Sequence, residues 1–200
     1  NNASEKQFRY PVEYGGPKRA TTTFTTTGAA SALLSYNKSG IKIESGTLGT
    51  VIDSGIKDAY QMGAVMAIAA CDTISKHLKE TKRTIDYYDL VLTGDLGIYG
   101  KKILKEALEK EYGMNTNNVD DAACIIYNIE EQSVYSGGSG PACLPLVAYS
   151  YIIEEMKKGN LNRVLLVATG ALMNTNLVNQ HLTIPSIAHA ISLEVLIWCM

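Results

Sequence analysis

A chain of 200 residues, 46% apolar and 19% charged, can bury a core, which excludes a disordered segment. The net charge of −2, without a Lys/Arg cluster beyond two or three residues, excludes a basic nucleic-acid surface. No run approaches the ~20 continuous apolar residues of a membrane span, and no signal-peptide pattern is read. Cys71, Cys124, Cys143 and Cys199 form no CxxC pair, and His77, His181 and His189 are scattered. No metal or cofactor is expected from that spacing, and apolar surroundings read three of the cysteines as buried, reduced thiols.

Residues 1–18 are polar, with Pro11, Pro17 and Gly15-Gly16, and read as loop. The β-branched stretch 19–36 predicts a strand. A turn at 37–40 then leads to 41–53, where the alternation of Ile41, Ile43 and Ser45 predicts a second strand, paired with the first as a hairpin and interrupted by Gly46 and Gly49. In 57–80 the pattern changes to Met62, Met66, Ala69, Ala70, Thr73, Ile74 and Leu78, the spacing of a helix. Its small residues suit burial on both sides, and without a partner half such a helix exposes apolar surface.

Residues 87–97 read as a short strand ending in the turn TGDLG, and 101–113 as a helix stopped by Gly113. Residues 122–129 read as strand, 141–158 as a helix opened by Pro141 and closed by Lys157, Lys158 and Gly159. RVLLVATG (163–170) reads as a buried strand, and 184–198 as another. This alternation predicts an α/β unit with a helix-covered sheet.

Chemistry concentrates at two turns. In GGSGPAC, Gly137, Gly138, Ser139 and Gly140 would place bare N–H groups at a helix start, a setting for a carboxylate or phosphate. The competing reading is a tight turn with close helix–sheet packing. Asp95 follows a strand end, where α/β proteins place functional residues, and is expected to cap the helix beginning near Tyr99 or to orient a neighbour. Asn174 and Asn176 lie past another strand end, as pocket lining or solvated loop. His189, between Ala188 and Ala190, reads first as a satisfied core histidine. Cys143 at its helix start is either a low-pKa thiol or a packing residue. Tyr87, Tyr88 and Tyr99 flank TGDLG and could stack on an aromatic ligand or fill the core.

Two stretches resemble the thiolase superfamily. MGAVMAIAACDTISKHLKETKRTIDYYDLVLTGDLG (62–97) is similar to the thiolase sequence of MG, small-residue helix, spacer and DLVE-NEAF. Residues 135–173, from YSGGSGPAC to ATGALM, are similar to the glycine loop, helix and strand near the C-terminus of condensing enzymes. The blocks FRYPVEYGG, YYDLVLTGDLGIYG, GGSGPAC, LLVATGALMN and IPSIAHAISLE resemble one branch more closely, the stage V sporulation protein AD family, over nearly all of 1–195.

That resemblance implies an α/β, thiolase-like fold with helices packed on a mixed sheet. Residues 1–56 would be the loop and hairpin closing a first half, and 57–200 the second half; most of the first half, with the nucleophilic Cys of the enzymes, would lie outside this chain. The enzymes' Asn or His donor falls at Gly94, with Asp95 after it; a second donor falls near Gly138, and the Cys of CxGGG at Ala168 or Thr169. Losing one oxyanion donor typically costs ~10²–10³ in rate, so the resemblance implies a protein without condensing chemistry. It implies binding of dipicolinic acid and participation in its uptake into the developing spore. Residues Gly94, Asp95, Gly137, Gly138, Ser139, Gly140, Thr169, Asn174 and His189 would line the site. Partners would be the other membrane proteins of the stage V sporulation A operon and a second copy in a homodimer, with the protein peripheral at the inner membrane of the forespore or spore. An active acyl-CoA condensing enzyme or thiolase is the alternative, and a scaffold with a vestigial pocket a third reading.

Overall fold

The computed structural model describes residues 19–36 and 40–196. The strands are β1 (Phe24–Thr25), β2 (Ile41–Thr47), β3 (Leu90–Thr93), β4 (Val119–Asp121), β5 (Gly138–Ser139), β6 (Arg163–Ala171) and β7 (Ser186–Val195). The helices are α1 (Met62–Thr81), α2 (Gly97–Tyr112), α3 (Ala122–Ile125), α4 and α5 (Thr175–Asn179). α4 runs on from Cys143–Val147 through a π turn at Ala148–Ile152 to Ile153–Lys157. Pro145 is tolerated there because it sits in the first turn, where an N–H has no helical partner.

Five strands form one mixed sheet in the order β2-β7-β6-β3-β4. β3 runs parallel to β4 and β6, whereas β7 is antiparallel to β6 and β2. Side chains alternate across β6, so Leu165 and Val167 enter one core and Val164 and Leu166 the other. The first core is filled from α1 and α2, the second from α3 and α4. This is the expected α/β architecture, with helices on a mixed sheet.

α1 is buried as its spacing implies: Val65, Met66, Ala69, Ala70 and Ile74 are each 1% exposed or less. It lies between the sheet and α2, and the crossing is close because neither Gly63 nor Gly100 carries a side chain. A Cβ on Gly63 would sit 2.2 Å from the Leu96 carbonyl oxygen, and one on Gly100 2.7 Å from that of Gly63. Apolar surface is exposed elsewhere than expected, at Leu33, Leu34 and Tyr36 and at Tyr149 and Tyr151 of α4. α2 ends at Gly113 in a left-handed conformation whose N–H bonds back to Glu109 and Leu108.

The expected hairpin between 19–36 and 41–53 is corrected. β2 pairs with β7, with a register irregularity between Ile43 and Ser45, and Gly46 stays within the ladder opposite Ile191. Of 19–36 only Phe24–Thr25 is strand, and it pairs in parallel with Gly138–Ser139. A β-branched run shows that a segment can extend but not which edge it will meet. The predicted strand over 122–129 is also corrected: the strand ends at Asp121, whose carboxylate accepts from the Ala123 N–H and starts α3. The loop predicted for 1–18 and most of the turn at 37–40 lie outside the described residues.

Candidate functional site

The carboxyl ends of the parallel strands β3, β4 and β6 meet at one edge of the sheet, the place where open α/β sheets hold ligands. Two carboxylates occupy it. Asp121, at the end of β4, is fully buried and accepts four hydrogen bonds: from Thr93 Oγ1 at 2.6 Å, Leu96 N at 3.1 Å, Gly97 N at 3.0 Å and Ala123 N at 3.1 Å. It therefore satisfies the start of α2, the task expected of Asp95. Burial raises its pKa against the pull of those donors. The signal was legible as an acid between a strand and a helix in VDDAAC.

Asp95 does the other task foreseen for it and orients neighbours. Its Oδ2 accepts from Gly140 N at 3.0 Å and its Oδ1 from Thr169 Oγ1 at 2.9 Å. One side chain thus ties the turn after β3 to the glycine loop and to β6. Burial pushes its pKa up to about 6, against the hydrogen bonds from Gly140 and Thr169, and the charge of Asp121 adds to the rise.

The glycine loop is less open than its composition implies. Gly138 and Ser139 form β5, Thr26 N donates to the Ser139 carbonyl, and α4 starts only at Cys143. The Gly140 N–H is the donor engaged by Asp95. The glycines fit where a side chain would not: Gly137 has φ 105°, and a Cβ there would lie 2.3 Å from the Ala123 carbonyl oxygen. A Cβ on Gly138 would meet Ile126 at 2.7 Å, Thr26 Oγ1 at 2.9 Å and Cys143 Sγ at 3.2 Å. One on Gly94 would lie 2.7 Å from Thr169 Oγ1.

Gly94, Asp95, Thr169 and the run from Gly137 to Gly140 are therefore brought together. Asn174 is not joined to them by any recorded contact; it caps the exposed α5 by accepting from Asn176 N at 2.8 Å. His189 is not a core histidine. It is exposed, opposite Ala168 in the ladder, and its Nδ1 accepts from Gly49 N at 3.0 Å. Alternation along β6 puts Ala168 and His189 on the opposite face from Thr169. The buried histidine is His77, bonded to Thr47 Oγ1 at 2.8 Å and to the Tyr88 hydroxyl at 2.7 Å.

Thiol chemistry is disfavoured. Burial pushes Cys143 up to about 12, with Asp95 adding to the rise, and Cys124 to about 11; Cys71 is also raised to about 12. Tyr87 and Tyr88 precede β3 and so lie at its other end from Gly94, packed edge to face on each other, while Tyr99 is exposed. A cavity of about 700 Å³ flanks α4, lined by Ile125, Ile126, Leu146, Tyr151 and Leu161. Its charged lining residues are Asp120 and Glu155, which repel an anion. Among the described residues no group of three or more His, Cys, Asp or Glu is placed to hold a metal, and no helix is long and apolar enough to cross a membrane.

Residues 1–194 match the family described as Stage V sporulation protein AD. The chain belongs to that family. It is 47% identical over 195 residues to the Stage V sporulation protein AD of Bacillus subtilis (strain 168), an alignment covering 97% of this chain and 57% of that protein. The chain thus spans little more than half of this sporulation-protein relative. Among solved structures it is similar to 3-oxoacyl-[acyl-carrier-protein] synthase III from Aquifex aeolicus VF5, at 13% identity and a TM-score of 0.45, covering 79% of this chain and 46% of that one. It is similar also to the acetyl-CoA acetyltransferase of Bacillus anthracis, at 18% identity and a TM-score of 0.36, covering 76% and 30% of the two chains.

Proposed function

We propose that this chain is part of a non-catalytic, thiolase-like sporulation protein that binds dipicolinic acid and takes part in its uptake into the developing spore. The observation that carries the reading is the makeup of the strand-end cluster. Where a condensing enzyme needs proton donors and a reactive thiol, Gly94 and Gly138 have no side chain, Thr169 is committed to Asp95, and Cys143 is pushed up to about 12. Glycine N–H groups and the Ser139 hydroxyl suit a carboxylate of a small planar dicarboxylate. On this reading the protein works peripherally at the forespore inner membrane, as a homodimer, with the other membrane proteins of the stage V sporulation A operon.

The test is calorimetric titration of the complete protein with dipicolinate, with pyridine-2-carboxylate for comparison. Dipicolinate is expected to bind at least ~10-fold more tightly, about 1.4 kcal/mol. Ser139→Ala should weaken it by roughly 0.5–1.5 kcal/mol without unfolding the chain. Gly138→Asp is a poor probe, because its Cβ alone would press on Ile126, Thr26 and Cys143. Equal or absent binding of the two pyridines would remove the ligand assignment. Turnover of acetyl-CoA or acetoacetyl-CoA, lost on heat treatment, would return the protein to the enzymes.

A further inference from the structure

We propose that Asp95 is a proton-operated latch on the glycine loop: ionised, it holds the Gly140 N–H, and protonated, it yields that N–H to a ligand carboxylate. The ligand half of this inference rests on the dipicolinate reading; the latch itself does not.

The geometry carries it. Asp95 is the side chain that ties the turn after β3 to both Gly140 and Thr169, at 3.0 and 2.9 Å. Any anion that uses the Gly140 N–H must replace a carboxylate already there, and must do so beside a second one. From β4 the facing ionisable group is Asp121; from α4 it is the Cys143 thiol; β6 offers the neutral Thr169 and the loop only its backbone. Lys101 on α2 is engaged by Asp120 at 2.9 Å. Among the described residues no cation acts on the Asp95 carboxyl.

Two carboxylates side by side do not carry their charges equally well. Asp121 has four donors, Asp95 two. The first proton taken up therefore goes to Asp95, and its charge-assisted bonds become neutral ones of roughly half the strength. An arriving dicarboxylate raises the proton affinity of Asp95 further, since like charges disfavour ionisation. Proton and ligand then bind with positive coupling, and by linkage each strengthens the other. At pH values above the free-state midpoint, affinity rises by up to about tenfold per unit of falling pH.

Nuclear magnetic resonance of the complete protein, labelled at aspartate carboxyls, glycine amides and threonine methyls, tests the latch. The Asp95 carboxyl, the Gly140 amide and the Thr169 methyl should share one midpoint near pH 6. Thr169→Val, which removes a donor to the charged form, should move the midpoint up by about one unit. In Asp95→Asn the Gly140 titration should vanish. A Gly140 amide that stays flat between pH 5 and 8 in the folded protein overturns the latch, whatever the variants do. Calorimetry of dipicolinate near pH 7, in buffers of different ionisation enthalpy, tests the coupling. Uptake of up to one proton in the parent and none in Asp95→Asn is expected. Binding without proton uptake overturns the coupling; failure to bind at any pH overturns the ligand reading, while the resonance titration still decides the latch.

Discussion

Two polar clusters lie at opposite ends of the parallel strands, and they handle charge differently. At the amino-terminal end, Glu44 of β2 accepts from both terminal nitrogens of Arg83, from Tyr87 and from Ser192. Arg83 and Arg163 also stack on the Tyr87 ring, and Arg163 and Lys42 pair with Glu194. Burial works against the Glu44 carboxylate, yet the bonds from Tyr87, Ser192 and Arg83 hold it below its usual range. At the carboxyl end, Asp95 and Asp121 face each other with backbone N–H groups and hydroxyls but no cation among the described residues, and both are raised. A cluster that neutralises its own charge fastens β2 to α1. One that leaves charge uncompensated costs stability, a mark of a site with work to do beyond folding.

The sharpest way to break this contrast is Asp121→Ala. It strands the Leu96, Gly97 and Ala123 N–H groups and the Thr93 hydroxyl in the interior, and should cost about 3–5 kcal/mol in urea unfolding of the complete protein. A loss below 1 kcal/mol would mean that water or a neighbouring group takes over.

Next in size is Arg83→Met, which leaves Glu44 without its cation. The pair is largely shielded, with side chains 20% and 15% exposed, so a loss of about 1–2 kcal/mol is expected. Adding Glu44→Gln should recover part of it; an additive double mutant would show that the two residues act separately.

Asp95→Asn should do the opposite and stabilise. A carboxylate whose folded pKa is raised binds its proton more tightly folded than unfolded, so stability falls as pH rises from about 4 to about 6 and the cost is constant above. The variant should therefore gain about 1 kcal/mol at pH 8 and nothing below pH 4, read from paired thermal melts. Equal melting temperatures at pH 8 would place Asp95 with the compensated cluster.

The smallest effect comes from His77. Burial lowers its pKa first, with Arg83 adding to the fall, so it folds neutral. Its contribution is present above its unfolded pKa of about 6.5 and is lost as pH falls, by at most about 1.4 kcal/mol per unit. This slope opposes that of Asp95, and His77→Gln should flatten it without altering the Asp95 midpoint.

Much of this was readable in the chain itself. The spacing of Met62, Met66, Ala69, Ala70 and Ile74 fixes a helix and its buried face, because a 3.6-residue repeat admits no other regular structure. RVLLVATG fixes a strand buried on both faces, and Gly113 a helix end. The residue types around TGDLG and GGSG mark a strand-end cluster, since glycine-rich turns with one acid are what a close approach of three segments requires. Pairing was beyond the sequence. Nothing in 19–53 says that β2 seeks β7 rather than its neighbour, because strand partners are chosen by the total surface that closes over them. The division of labour between Asp95 and Asp121 was equally hidden. Both follow strands, but only the packed structure decides that Asp121 meets the free N–H groups of α2 while Asp95 meets Gly140 and Thr169, 45 and 74 residues away. A long-range hydrogen bond has no local signature, for its partner is set by the fold and not by the residues on either side.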